Sequence, residues 1–283
     1  MSRNETVTAD RVARQLAGDV NPLATHLANR YVGPAPLPPV AIVTATPRKL
    51  KWFELEQILK PVRELEDTSS LTRIWEHESG PVATLVHGVG GPSADRLLIT
   101  AMMQGVRTFI RIGTCGLLEP GATIGTVVVA EEATSDDTTF QWYLDALERD
   151  GRPVRNKPFA AASTEYVDTA VNALPAELEQ GRVVRGRAFS TSLIFREGPE
   201  TAVHYRELGC AAADMEAGTV LASAQWYRLP AVALLVGRDH ITEGGFHTDE
   251  RERFAEGVQA IRTALDALIP VAQAAAARVA SER

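Results

Sequence analysis

At 283 residues the chain has room for one large α/β domain or two small ones. Hydrophobic residues at 45% and charged residues at 23% suit a globular protein with a substantial core, and the net charge of −7 argues against a nucleic-acid polymer or an anionic membrane as the main partner. No apolar run reaches membrane-spanning length, Met1-Ser-Arg-Asn-Glu-Thr6 lacks the apolar core of a signal peptide, and Cys115 and Cys210 lack metal-ligand spacing; a cytoplasmic protein with reduced thiols and no metal is expected.

Residues 1–39 read as an N-terminal helical extension and a Pro-rich linker. Val12, Leu16 and Val20 recur at helical spacing ahead of Asn21-Pro22, a second short helix follows through Leu23, Leu27 and Tyr31, and Gly33-Pro-Ala-Pro-Leu-Pro-Pro39 is a semi-rigid spacer. Residues 40–283 read as the main domain. Val40-Ala-Ile-Val-Thr-Ala45 has the unbroken apolar character of a strand buried in a parallel sheet, and it leads through Thr46-Pro47-Arg48-Lys49 into a helix over 50–59. A strand feeding a turn and a helix start is an anion-binding arrangement, and two adjacent cations strengthen it.

Residues 71–77 and 82–87 form an antiparallel pair about Ser79-Gly80. Gly88-Val-Gly-Gly-Pro-Ser93 opens an amphipathic helix over 94–104, and a strand follows over 106–113, together a βαβ unit. That strand contains Phe109-Ile-Arg-Ile-Gly-Thr-Cys-Gly116, read as a buried strand ending in a tight Gly-Thr-Cys-Gly turn. Arg111 is the odd residue in it: a charge within an apolar strand is costly without a partner, so it is either one half of a structural ion pair or a grip on a bound anion.

The next strand covers 126–131 with a polar loop after it, and residues 140–160, with Trp142, Tyr143, Arg152, Arg155 and Lys157, read as an excursion or lid. A helix over 164–174, a strand over 182–191, a loop bearing Phe195 and a helix over 199–208 follow. Ala211-Ala-Ala-Asp-Met-Glu-Ala-Gly218 is expected to enter a helix that carries Asp214 and Glu216 at its start. A last buried strand over 231–236 ends in Gly237-Arg-Asp-His-Ile-Thr-Glu-Gly244, and a helix from Thr248 to about residue 280 closes the chain. Strands alternating with helices imply an α/β fold with a mixed, mostly parallel central sheet flanked by helices. Polar tips at strand ends, namely Thr46–Lys49, Gly88–Ser93, Arg111–Gly116 and Arg238–His240, point to a ligand site beyond the carboxyl edge of the sheet.

Gly88-Val-Gly-Gly-Pro-Ser93, Arg111-Ile-Gly-Thr-Cys-Gly116, Asp214-Met-Glu216 and Gly237-Arg-Asp-His-Ile241 occur in this order. In that combination the chain resembles the nucleoside phosphorylase family, which includes uridine phosphorylase, hexameric purine nucleoside phosphorylase and adenosylhomocysteine-type nucleosidases. The resemblance implies phosphate binding by Arg111 and Thr114, with Arg48, Lys49 and a neighbour-donated Arg73. It implies ribose binding by Met215 and Glu216, with Asp214 beside them and His26 reaching in from another subunit. It further implies a base site at Phe195, Cys115 and Gly116, and Asp239 as the acid that protonates purine N7, assisted by Arg251. A homodimer or homohexamer with shared sites is implied, as is inorganic phosphate as co-substrate with no other cofactor.

The chain departs from the family pattern at the first strand end, where Gly-Asp-Pro-x-Arg is replaced by Ala45-Thr-Pro-Arg-Lys49. No glutamate lies between Ala45 and Leu50 to activate water as in the nucleosidases, and the Gln-x-Arg pair that reads uracil is missing after Phe195. Phosphorolysis of a purine ribonucleoside is therefore the expected reaction. Hydrolysis of the same bond in a nucleoside or nucleotide, and nucleoside binding without turnover, stand as the alternatives.

Overall fold

The computed structural model describes residues 11–19, 23–65, 68–152, 154, 156–176, 178, 182–241 and 250–281. Val20, Asn21-Pro22, Arg155, Thr242–Gly244 and Thr248, which figure in the sequence reading, lie outside them. Two helices, α1 (Arg11–Asp19) and α2 (Leu23–Val32), precede β1 (Val40–Thr44) and α3 (Pro47–Phe53). Then come β2 (Lys60–Leu65), β3 (Thr72–His77), β4 (Gly80–Val86), α4 (Gly91–Met103), β5 (Thr108–Leu117) and β6 (Val127–Ser135). The remainder is α5 (Thr138–Arg149), β7 (Ala160–Ala161), α6 (Thr164–Ala173), β8 (Val183–Ser190), α7 (Pro199–Glu207), β9 (Cys210–Asp214), α8 (Ala217–Tyr227), β10 (Ala231–His240) and α9 (Arg251–Ser281).

The unbroken burial of β1 sets the layering. Val40 and Ile42 join one core with Phe53, Ile110 and Leu265, whereas Ala41 and Val43 join another with Leu97, Met102 and Phe109. Successive strand side chains point to opposite faces, so an apolar run without alternation requires a sheet covered on both sides. Helix α9 covers one face and α4 and α8 the other, as their buried residues in the two cores show.

The strand order is β10-β6-β8-β9-β5-β1-β4-β3-β2, and β10 also pairs with β5. Strands β5, β10, β6, β8 and β9 thus close into a ring, from which β1, β4, β3 and β2 extend as an open sheet. The sheet is mixed: β1 runs parallel to β4 and β5, and β10 parallel to β5, while β9 meets β5 antiparallel.

Four expectations change. The Gly-Thr-Cys-Gly segment is no turn, since β5 continues to Leu117 with Thr114 opposite Val236 and Gly116 opposite Ala213. Residues 211–214 are strand β9, with α8 beginning only at Ala217; small Ala side chains let β9 enter the ring beside β8. Residues 140–149 are part of the amphipathic helix α5, whose Phe140, Tyr143, Leu144 and Leu147 are buried in the core, so they form no lid. The helix expected over 50–59 is shorter and starts earlier, because Pro47 fits a first helical turn and Glu54 adopts a left-handed conformation at φ 44° that stops it. The N-terminal extension also packs on the main body: Val12 and Leu16 lie in the same core as Phe109, and Gln15 Nε2 donates to Trp226 O at 3.1 Å.

Candidate active site

A cavity of about 540 Å³ opens at the carboxyl ends of β1, β5 and β10. Ala45, Thr46 and Lys49 line it from the β1–α3 junction, Thr114, Cys115 and Gly116 from β5, and Asp214, Met215 and Glu216 from the β9–α8 junction. Arg238 and Asp239 line it from β10, and Ser192, Ile194, Phe195 and Glu197 from the loop after β8. Strand ends around a topological crossover are where α/β sheets bind small ligands.

Arg111 lies beneath this cavity, fully buried, and does not line it. Its Nε donates to Asp214 Oδ2 at 3.1 Å, and its Nη2 donates to the same oxygen at 2.7 Å and to Glu216 Oε2 at 2.5 Å. Burial alone would lower its pKa, but Glu216 and Asp214 hold it above the ordinary arginine value. The charge in the apolar strand therefore has a carboxylate pair as its direct partner. Gly113 makes room for it: both residues point to the same side of β5, and a Cβ at Gly113 would lie 3.0 Å from Nη2.

Asp214, expected among the sugar-binding residues, is already saturated. Besides Arg111, its carboxylate accepts from Ser190 Oγ at 2.5 Å and from the N–H of Ala217, the first residue of α8, at 3.0 Å. Glu216 is different: among the described residues Oε1 accepts from Gly90 N at 2.8 Å and Oε2 from Arg111, one donor each, so each oxygen keeps a spare lone pair in a residue that lines the cavity. Burial and the neighbouring Asp214 raise its pKa, and Arg111 counters them. The glycine-rich loop before α4 thus serves this carboxylate. Gly88 and Gly90 have φ of 87° and 91°, which only glycine adopts without strain, and they turn the Gly90 N–H toward Glu216.

Lys49 is the cation of the β1–α3 junction that faces the cavity. Burial and then the Arg111 charge lower its pKa, against the pull of Glu216 and Asp214. Arg48 points away: it is exposed, with its guanidinium 5.0 Å from the centre of the Trp52 ring. Arg238 stacks on the same ring at 4.7 Å. Arg238 and Asp239 both reach the cavity because β10 bulges there, its register against β5 shifting between Gly237 and Asp239. A regular strand would send the two side chains to opposite faces, and the bulge re-aims them. Burial raises the Asp239 pKa, although Arg238 and His240 oppose it.

At the opposite end, Cys115 is buried and its thiol is pushed well up by desolvation, then by Asp214 and Asp239, which makes it an inert wall rather than a nucleophile. Gly116 is needed for closeness, since a Cβ there would come within 2.6 Å of Ile241. Phe195 is 97% exposed although it lines the cavity, so it stands at the open mouth. The loop that carries it is pinned by Asp136, which accepts from Ser192 N at 2.9 Å, and by Asp137, which accepts from Ser192 Oγ at 3.1 Å.

Besides Arg48, three expected residues are not brought here within the chain. Arg251 is exposed at the first turn of α9, and His26 is exposed on α2. Arg73, on β3, pairs with Glu64 of β2 at 2.7 Å. Conversely, Glu197 lines the cavity without having been expected there, since an irregular loop leaves no periodic signal in a sequence, and Arg238, expected only as part of a polar strand end, lines it too. Among the described residues no cluster of His, Cys, Asp and Glu could hold a metal ion, and no helix is long and apolar enough to cross a membrane.

The chain is 27% identical over 235 residues to a protein named purine nucleoside phosphorylase DeoD-type from Proteus mirabilis, covering 81% of this chain and 92% of that one. It is 28% identical over 206 residues to a protein named purine nucleoside phosphorylase DeoD-type 2 from Vibrio cholerae, covering 72% and 82%. Its fold matches the crystal structure of purine nucleoside phosphorylase from Toxoplasma gondii in complex with immucillin-H, with a TM-score of 0.65, 18% identity and coverage of 86% and 92%. The family model of the phosphorylase superfamily matches residues 39–270, which takes in every strand of the sheet and every wall of the cavity, and the chain belongs to that superfamily.

Proposed function

We propose that the chain cleaves the N-glycosidic bond of a purine ribonucleoside by phosphorolysis, releasing free base and ribose 1-phosphate. The observation that carries this reading is the distribution of charge across one cavity: a lysine at one end, a raised-pKa carboxyl at Asp239 toward the other, and a carboxylate with spare lone pairs, Glu216, between them. Inorganic phosphate sits against Lys49 and Thr114, while the Arg111 charge beneath them is taken up by Asp214 and Glu216. The Glu216 carboxylate accepts from the ribose hydroxyls, a cis-diol matching its two oxygens, and Met215 packs against the sugar. Asp214 positions Arg111 and, through it, Glu216.

The bond from C1′ to the base breaks with its electron pair moving into the purine, and a phosphate oxygen forms the new bond to C1′. Asp239, whose pKa desolvation raises, gives its proton to N7 so that the base leaves neutral. Cys115 and Gly116 wall the base, and Phe195 closes over it from the mouth. His26, Arg73 and Arg251 complete the site only in an assembly or a closed state that brings them to it, and a homodimer or homohexamer is part of this proposal. The chemistry asks for no cofactor beyond phosphate.

A purine ribonucleoside panel incubated with and without inorganic phosphate tests the reading. Phosphate-dependent release of base together with ribose 1-phosphate is expected. Free ribose formed at the same rate in phosphate-free buffer would replace phosphorolysis with hydrolysis.

A further inference from the structure

Two carboxyls line the base end of the cavity without a hydrogen-bond or ion-pair partner among the described residues, Asp239 on β10 and Glu197 on the loop after Phe195. Every other carboxylate of the cavity wall is engaged, Asp214 by Arg111, Ser190 and Ala217 N, and Glu216 by Arg111 and Gly90 N. A partly buried polar group left unsatisfied in a built pocket marks a place where a ligand supplies the missing bond. The Phe195 loop that holds Glu197 is fixed by Asp136 and Asp137, so the carboxyl is presented from an anchored support. We propose that Glu197 reads the leaving base, acting beside Asp239 as a proton acceptor that selects a purine with an exocyclic amino group next to N7, a 6-aminopurine, over a 6-oxopurine.

The inference rests on the purine phosphorolysis proposed above and adds the base. A 6-aminopurine shows an acceptor at N7 beside a donor at the amino group, whereas a 6-oxopurine shows two acceptors in a row. Protonated Asp239 donates to N7 in either case. The second position decides: a carboxylate can accept from the amino group, and toward an oxo group it offers only lone pairs facing lone pairs. Desolvation first, then Asp239, Asp214 and Asp136, raise the Glu197 pKa to about 7. At Asp239 the rise is opposed by Arg238 and His240, so burial alone does not assign the roles; the base edge does, with the lone pair of N7 facing one carboxyl and the amino group facing the other. Two like groups in one pocket divide into an acid and a base, which is what an alternating donor–acceptor edge requires.

The measurement is kcat/KM for adenosine and for inosine, each with saturating phosphate at pH 8, for the wild-type chain and for Glu197→Gln. The wild type is expected to prefer adenosine by about tenfold or more, the discrimination that one well-placed hydrogen bond to a charged group provides. Glu197→Gln supplies an amide N–H that suits the oxo group, so the preference should collapse toward unity, with inosine cleavage maintained or increased. Equal wild-type kcat/KM for the two nucleosides, or a Glu197→Gln variant whose ratio is unchanged, overturns the inference while leaving purine phosphorolysis standing. Absence of phosphate-dependent cleavage of either nucleoside overturns the parent reading and this inference with it. The thermal midpoint of Glu197→Gln, expected not to fall below that of the wild type because Glu197 makes no side-chain hydrogen bond or ion pair among the described residues and is crowded by other carboxylates, excludes a fold defect as the cause.

Discussion

Asp214→Asn isolates the ion pair beneath the cavity. The substitution keeps shape and preserves one acceptor for Ser190 Oγ and Ala217 N, but it turns an amide toward the Arg111 guanidinium, which donates twice to Oδ2 at 2.7 and 3.1 Å. Arg111 is fully buried and would retain only Glu216. Removing one partner of a buried pair leaves an uncompensated charge at about 3–5 kcal/mol. A chain of this size shifts its thermal midpoint by roughly 2–4 °C per kcal/mol, so a fall on the order of 10 °C is expected in a thermal melt at neutral pH. Glu216→Gln breaks a single contact to Arg111 and keeps an oxygen for Gly90 N, so its fall should be clearly smaller, while its turnover suffers more through the ribose. A loss under about 2 °C for Asp214→Asn would mean that Arg111 has another route to neutralisation, and the account of it as a carboxylate-bound charge would be wrong.

Asp239→Asn should lower purine release by about 10² or more without a comparable change in phosphate KM, read from initial rates of base formation; an unchanged rate removes Asp239 as the acid. Lys49→Met should raise phosphate KM more than nucleoside KM. In the wild type, phosphate affinity should begin to fall at a pH below the usual lysine value of 10.5, since burial and Arg111 favour the neutral amine. His87 is buried with its pKa lowered to about 3 by desolvation and by Arg111 and Lys49. It is neutral when folded and protonates when unfolded below about 6.5, so stability should decline as pH falls from there, by up to about 1.4 kcal/mol per unit. Melts of wild type and His87→Asn between pH 7 and 5 should diverge in slope, and parallel curves would refute the assignment.

The parts of the fold legible in the sequence are those with a strong local signal. The run Val40–Thr44, the hairpin about Gly80 and the helix after Gly91-Pro92 all have periodicity or turn chemistry that survives tertiary context. Residues 211–214 misled because alanine suits a helix by propensity, while the narrow space between β8 and β5 makes it the residue that fits a strand there. The polar character of residues 140–149 hid a helix whose exposed side carries Trp142 and whose buried side packs Phe140 and Leu144. In the site, Asp214, Met215, Glu216 and Asp239 were visible as a motif, and the question first put about Arg111 was resolved by distances no sequence contains. Arg238 was legible only as part of a polar strand end, its aim depending on a bulge, and Glu197 depends on a loop path that nothing in its neighbourhood announced.

The five-strand ring has a mechanical consequence. An open sheet can shear one strand past the next at the cost of a single ladder, but in a closed ring any such slip must propagate all the way round. Asp239 on β10 and the β9 strand end that leads to Glu216 are both attached to β5, Gly116 facing each of them on its two edges. The span between the group that protonates the base and the group that holds the sugar is therefore set by the circumference of a hoop. Thermal motion at the mouth can then let ligands in and out while the gauge across the scissile bond stays fixed.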